Sequence, residues 1–341
     1  MSNPNFSTLV ATTLQNYMPR LADNITNKQA LWYQLKQRGF VVKAKGGTSI
    51  VEPLMVARNT TVKSYSGYDI IDLAPQQGLT AAEYLWKQIA GSVTISGEEK
   101  FKNSGKSAVI SLLDSKVKQL ELSMMMEINR QLQANGLGNG GKDITGLALQ
   151  VQDGTAWSVV GGIDSNTFPY WRNQWIDYNA SYGDMAYAQA DLQELIRSWT
   201  TMYWSCARNN VRTTLIIVDQ KIFEAYIAAV QFGTNGTFTI PIDTKMADAG
   251  IMNVMFNGTP VVIDDDMPNA SNVAGSDNHE VLFLNADFLK FVIGEGKDFV
   301  STPMVTPDNQ DAESSKIMLY GNLTCSNRQR QGRITNIDTT G

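Results

Sequence analysis

Histidine is nearly absent from this chain. His279 is the single one in 341 residues. A Ser-His-Asp triad needs its histidine beside a nucleophile, and a histidine-rich metal site needs two or three. His279 would have to carry all such chemistry alone. It stands in Asp277-Asn278-His279-Glu280, a polar turn ahead of an apolar strand, and reads as a solvated turn residue. Cysteine is almost as scarce. Cys206 and Cys325 make no disulfide framework and, without a histidine partner, read as small buried hydrophobes. No apolar run approaches the roughly 18 residues of a membrane span. The opening Met1-Ser2-Asn3-Pro4-Asn5-Phe6 lacks a basic stretch followed by an apolar one, so no signal peptide is expected. Triplets such as Asn24-Ile25-Thr26 and Asn59-Thr60-Thr61 are then chance rather than glycosylation sites. A basic surplus is also missing: 28 Lys+Arg against 33 Asp+Glu leaves a net charge of -5, without the footprint of a nucleic-acid binder. No repeat of roughly 20 to 50 residues and no low-complexity tract is present.

What is there is a chain 43% hydrophobic and 9% aromatic, able to build a large core. At about 150 residues per domain it suggests two compact units. Residues 6 to 37 read as helical pieces broken at Pro19, with Thr26 or Asn27 capping a run that Gly39 ends. Residues 40 to 97 then read as a long hairpin. Pro53 places the strand 50 to 56 at an edge, because proline cannot donate to a ladder. A two-stranded ribbon is marginal alone in water, so this one is expected to lie over an adjacent subunit, burying Tyr65, Tyr68 and Tyr84 there. Trp86 is a further contact candidate.

The clearest element is a helix over 99 to 134. Val109, Leu113, Val117, Leu120, Met124 and Ile128 follow at spacings of four, four, three, four and four, widened by Leu112 and Leu132. Asn135-Gly136 ends it. The stripe needs a cover, and the later strands, including Ile317-Met318-Leu319-Tyr320, are the expected one. After Gly146 come an amphipathic helix over 185 to 204, a buried strand over 213 to 219, a helix over 221 to 230, and strands at 254–263, 280–284, 290–293 and 316–325. This order points to an α+β fold class.

Three motifs invite chemistry. Gly136-Leu137-Gly138-Asn139-Gly140-Gly141-Lys142-Asp143 satisfies G-x-G-x-x-G and nearly the P-loop, but Asp143 replaces the Mg²⁺-binding hydroxyl. A helix precedes it where a strand is needed, so it reads as a helix stop. Asp264-Asp265-Asp266, with His279 and Glu280, is the material for a metal-dependent hydrolase, but lacks EF-hand spacing and reads as a strand end entering a solvated loop. The basic knot of Arg328, Arg330 and Arg333 is expected to touch a neighbouring subunit rather than nucleic acid.

Several segments carry a resemblance. They are Leu21-Ala22-Asp23-Asn24-Ile25-Thr26, Ala30-Leu31-Trp32-Tyr33, Gly46-Gly47, Ile50-Val51-Glu52-Pro53-Leu54 and Ser64-Tyr65-Ser66-Gly67-Tyr68-Asp69. They continue with Trp86-Lys87-Gln88, Val93-Thr94-Ile95-Ser96-Gly97-Glu98-Glu99 and Gly138-Asn139-Gly140-Gly141-Lys142. With the order of elements, they resemble the major capsid (coat) protein of tailed bacteriophages, of the Hong Kong 97-type fold, densely over residues 20 to 147 and more loosely afterwards. The resemblance implies an N-terminal arm (1–38), an extended E-loop hairpin (39–98), a P-domain spine helix with its Gly-rich turn (99–147), a mainly A-domain stretch with P-domain segments (148–300), and return strands of the P-domain with the C-terminus (301–341).

It further implies a protein without catalysis, cofactor or metal. The subunits would form hexamers and pentamers of an icosahedral or prolate virion head, made in the host bacterial cytoplasm. The implied partners are further copies of the chain, a separate scaffolding protein, a portal at one vertex, a decoration protein, and packaged double-stranded DNA held without sequence-specific binding; no membrane is involved. Neither Lys63 nor another hairpin lysine matches the Lys–Asn cross-linking of some members. The alternatives are a phage decoration or tail structural protein, and the hydrolase built on Asp264 to Asp266.

Overall fold

The computed structural model describes residues 30–102, 106–155, 157–185, 189–208, 211–232, 253–264, 266–267, 278–306, 308 and 310–338. The expected helical pieces before residue 30 lie outside them. The elements run α1 (Ala30–Gln37), β1 (Val41–Ala44), β2 (Ser49–Met55), β3 (Leu79–Leu85), β4 (Lys87–Ser96), α2 (Gly97–Lys102) and α3 (Lys106–Gln133). Then come α4 (Leu147–Gln150), β5 (Val159–Val160), β6 (Ile163–Asp164), β7 (Gln174–Asp177), α5 (Tyr178–Tyr182), α6 (Gln189–Cys206), β8 (Leu215–Val218) and α7 (Gln220–Phe232). The chain closes with β9 (Asn253–Phe256), β10 (Thr259–Ile263), β11 (Asn278–Leu284), β12 (Leu289–Gly294), β13 (Val300–Ser301), β14 (Ala312–Cys325) and β15 (Gly332–Asp338). The fold is mixed α+β, as the element order predicts.

Two sheets organise it. In the first, β14 is the spine: its early half pairs antiparallel with β4 and β13, its later half with β12, and β12 pairs parallel with β1. The second runs β7-β15-β11-β8-β10-β9. Strand β8 explains its own sequence. Leu215-Ile216-Ile217-Val218 is apolar without alternation because both sheet faces are covered. Ile216 and Val218 turn toward α6 and α7, with Trp199, Ile222 and Phe283. Leu215 and Ile217 turn the other way, into a core with Ile128 and Leu132 of α3, Leu31, Trp32 and Leu35 of α1, and Phe291 and Leu323 of the first sheet. Trp32 meets Phe291 edge to face, with centroids 4.2 Å apart.

Helix α3 has 28 residues, about 42 Å at 1.5 Å each. Val117, Met124, Ile128 and Leu132 are buried, and Leu120 is half-buried against the same core; the side chains of Val109, Leu112 and Leu113 lie outside the described residues. The cover differs in part from the expected one. Ile317 and Leu319 do share this core, but β4 is also packed against the helix. The spacing explains how: a Cβ on Gly91 of β4 would strike the Leu120 side chain, so the glycine lets helix and strand approach. The hairpin expected over 39 to 98 is accordingly narrower. β1 and β4 belong to the first sheet, and the ribbon is β2 paired with β3 alone. The turn from β4 into α2 is a capping box: Ser96 Oγ accepts from Glu99 N at 3.2 Å, and Glu99 Oε2 accepts from Ser96 N at 3.1 Å.

Candidate functional site

The ribbon has two unlike faces. Strand alternation turns Ile50, Leu54, Ala82 and Tyr84 inward, onto Val160, Ile163, Trp171 and Val292. Pro53 and its pair Ala81 face outward, with Val51, Met55, Leu79 and Leu85. Met55 and Leu79 are each 81% exposed. From Val56 to Gly78 the chain forms an irregular loop that adds Val62, Tyr65, Tyr68, Ile70, Ile71 and Leu73 to the exposed apolar surface. Two side-chain bonds shape the loop: Asp69 Oδ2 reaches back to accept from Ser66 N at 2.7 Å, and Asp72 makes an Asx turn, its Oδ1 accepting from Ala74 N at 3.0 Å. Exposed apolar residues gathered in this number on one element exceed the scatter ordinary for a surface.

Other residues expected at contacts between subunits are interior. Tyr84, 3% exposed, is packed within its own subunit, its hydroxyl against Cys325 O and Gln150 Oε1, and burial raises its pKa. Ribbon alternation, with the strand sunk at its base, decides this. Trp86 is half-buried and donates to Gly47 O at 3.0 Å. Arg328 is 0% exposed. Its side chain reaches Gln150 O at 2.7 Å, Ser165 Oγ at 2.6 Å and Trp171 O at 2.7 Å, tying the end of α4 to two later segments through neutral acceptors, and burial pushes its pKa down to about 10. Arg333, on β15, is buried against Glu280 of β11 at 2.6 Å and donates to Val151 O at 3.1 Å. Arg330 is partly buried and donates to Cys206 O at 3.3 Å. Arg328 and Arg333 of the basic knot are thus internal clamps, and Arg330 is held only in part.

The hydrolase constellation is pulled apart by sheet geometry. Asp264 and Asp219 follow the parallel neighbours β10 and β8, but their carboxylates take different partners. Asp264 turns toward α3, accepting from Asn129 at 2.8 Å and Gln133 at 2.6 Å; burial raises its pKa. It is 7% exposed, so the expected solvated strand end is a buried joint. Asp266 accepts from Asn129 at 2.7 Å, and Asp265 lies outside the described residues. His279, expected in solvent, is 0% exposed. Its Nδ1 bonds Asp219, the N-cap of α7, whose Oδ1 accepts from Ile222 N at 3.0 Å. Glu280 turns the opposite way, to Arg333. Among the described residues no three His, Cys, Asp or Glu converge as a metal site. Cys206 and Cys325 are buried, as expected, and burial pushes both thiols up to about 12.

No protein-family model matches the sequence, and no curated protein does. Solved structures do match. The capsid asymmetric unit of cyanophage A-1(L) superposes with a TM-score of 0.63 at 18% identity, over 87% of this chain and 90% of that one. The chain has the Hong Kong 97-type capsid fold. The capsid of Myoviridae phage XM1 shares it at a TM-score of 0.53 and 10% identity, covering 89% and 92% of the two chains. So does the holo-SrpI encapsulin complex from Synechococcus elongatus PCC 7942, at 0.50 and 13%, covering 92% and 89%. Within the Hong Kong 97-type fold of this chain, the Gly-rich turn closes on itself after α3. Gly136, at φ +73°, ends the helix, Arg130 donates to Asp143 at 3.1 Å, and Ile144 N donates to Gln131 Oε1 at 3.1 Å. Asp143 is buried inside the turn, where a P-loop would present a hydroxyl.

Among the described residues no helix is long and apolar enough to cross a membrane.

Proposed function

We propose that the chain is the major capsid subunit of a tailed bacteriophage, building hexamers and pentamers of an icosahedral or prolate head around double-stranded DNA. One observation carries this reading: on a capsid fold, the ribbon and its loop expose an apolar outer face that the other described residues do not cover. Specific interfaces bury about 1,600 Å² in total, and an extended ribbon supplies such area without enlarging the subunit's core. In this reading the ribbon is the E-loop, α3 with the first sheet is the P-domain, and the second sheet with α6 and α7 is the A-domain. Pro53, Tyr65 and Tyr68 are the contact residues; Tyr84, Arg328 and Arg333 hold the subunit's shape.

The cyanophage capsid is more similar than the encapsulin complex in both TM-score and identity, which favours a phage capsid over an encapsulin. The role is structural rather than catalytic. A separate scaffolding protein, a portal, a decoration protein and packaged DNA held without sequence-specific contacts are the partners of such a subunit, made in the bacterial cytoplasm and ending in the virion. The net charge of -5 suits a lining that leaves packaged DNA mobile. Sedimentation tests the reading. The full chain, expressed in bacteria together with the reading frames beside its gene, should run as shell-sized particles. A variant lacking residues 60 to 76 should run as a folded subunit. A full chain that stays monomeric in every such expression contradicts the proposal.

A further inference from the structure

A cleft of about 300 Å³ opens beside the ribbon where β2 ends. Its lining combines Leu54, Met55 and Trp171 with the polar Arg208, Asn327 and Gln329. Arg208 is exposed just beyond α6, its backbone fixed by paired bonds with Val211 at 3.1 and 2.9 Å. Next in the chain to the lining Asn327 and Gln329 come Arg328 and Arg330; among the described residues Arg328 has only neutral acceptors and the buried Nε of Arg330 has no hydrogen-bond partner. Among the described residues no carboxylate lies within ion-pair distance of these three arginines. The nearby acid of β2, Glu52, is committed to Lys290 at 3.0 Å and Thr324 at 3.1 Å. Burial, and after it the charge of Arg208, hold Arg330 below the ordinary guanidinium range, so the two arginines repel across this corner. In an otherwise acidic chain, the described residues leave this corner positive and mainly polar, with Met55 as its exposed apolar edge.

The matching chemistry is on the loop. Asp72 is exposed and flanked by Ile71 and Leu73, which are 54% and 89% exposed. The loop runs between Met55 and Leu79, long enough to span to another molecule. We propose that the cleft receives the Ile71-Asp72-Leu73 segment of a second copy of this chain, with Asp72 meeting Arg208. This inference rests on the shell reading above. Met55 belongs both to the cleft and to the outer face of the ribbon, so the seat is continuous with the proposed assembly surface. The carboxylate would offset the Arg208–Arg330 repulsion, and the flanking side chains would cover Met55.

Charge reversal tests it. Arg208→Glu and Asp72→Arg change exposed side chains, so each variant should melt like the unmodified protein. Each alone should lose shell-sized particles on sedimentation, and the double variant should regain them. Single variants that assemble normally overturn the inference, and so do failed singles that the double does not rescue. Either result leaves the shell reading standing so long as the unmodified chain forms shells beside them. A control that forms none overturns that reading instead.

Discussion

Gly146 shows how tightly single positions are specified. A Cβ there would strike the carbonyl oxygens of Gln131, Leu132 and Ala134 at the end of α3. These are backbone atoms and cannot swing aside, so Gly146→Ala should cost about 3 kcal/mol, the upper end of what overpacking costs, read as a fall in denaturant midpoint. A variant as stable as the parent would show that the turn is not packed against the helix end. Asp264 makes a prediction in pH. Burial raises its pKa in the folded state, so that state holds the proton more tightly than the unfolded chain does. The group's contribution to stability is therefore greatest below its unfolded pKa of about 4 and is lost as pH rises through the folded value. Asp264→Asn removes this dependence. The variant should gain on the parent as pH is raised from about 4, and thermal melts with a pH-independent difference would contradict the assignment. Sequence reasoning missed this residue, and His279 and Arg328 with it, for one reason. Each sits in a polar stretch whose neighbours along the chain are typical of solvent, and only the fold supplies the partners, Gln133, Asp219 and Gln150.

At the scale of elements, helix α3 was the most legible part. Its stripe has the 3.6-residue period over many turns, and the buried residues from Val117 to Leu132 lie on it. Ile128 is 0% exposed, so Ile128→Ala should cost about 2 to 5 kcal/mol, while Leu120→Ala, half-buried, should cost less. Equal losses in urea titrations would mean that Leu120 is buried as deeply as Ile128. Strand β4 was misplaced into the hairpin because its local signal, Ile89, Val93 and Ile95 in alternation, suits any half-buried strand. Its actual partner, β14, begins at Ala312. Strand β15 went unread because Arg333 and Thr335 interrupt its apolar pattern; they are tolerated inside because Glu280 and Trp175 meet them. Where an element is covered on both faces by apolar neighbours, as β8 is, the sequence shows it directly. Where its neighbours are polar and distant in sequence, it does not.

At the scale of the molecule, the fold class, the long helix and the exposed ribbon were legible, since each depends on periodicity or on proline and turn chemistry. The division of labour was not. Arg328 and Arg333, expected on the surface, brace the interior, and the ribbon's inner face is held by its own subunit, so the outer face and the loop are what stays exposed among the described residues. The central claim is that this face is completed by a neighbouring copy. A reconstruction of assembled particles by electron cryo-microscopy tests it most directly. The account predicts closed shells with fivefold and sixfold capsomers, in which the ribbon of each subunit lies over the next and Met55, Tyr65 and Tyr68 lose their exposure. Particles whose ribbons stand free in solvent, or a chain found only as single subunits under the same conditions, would contradict it.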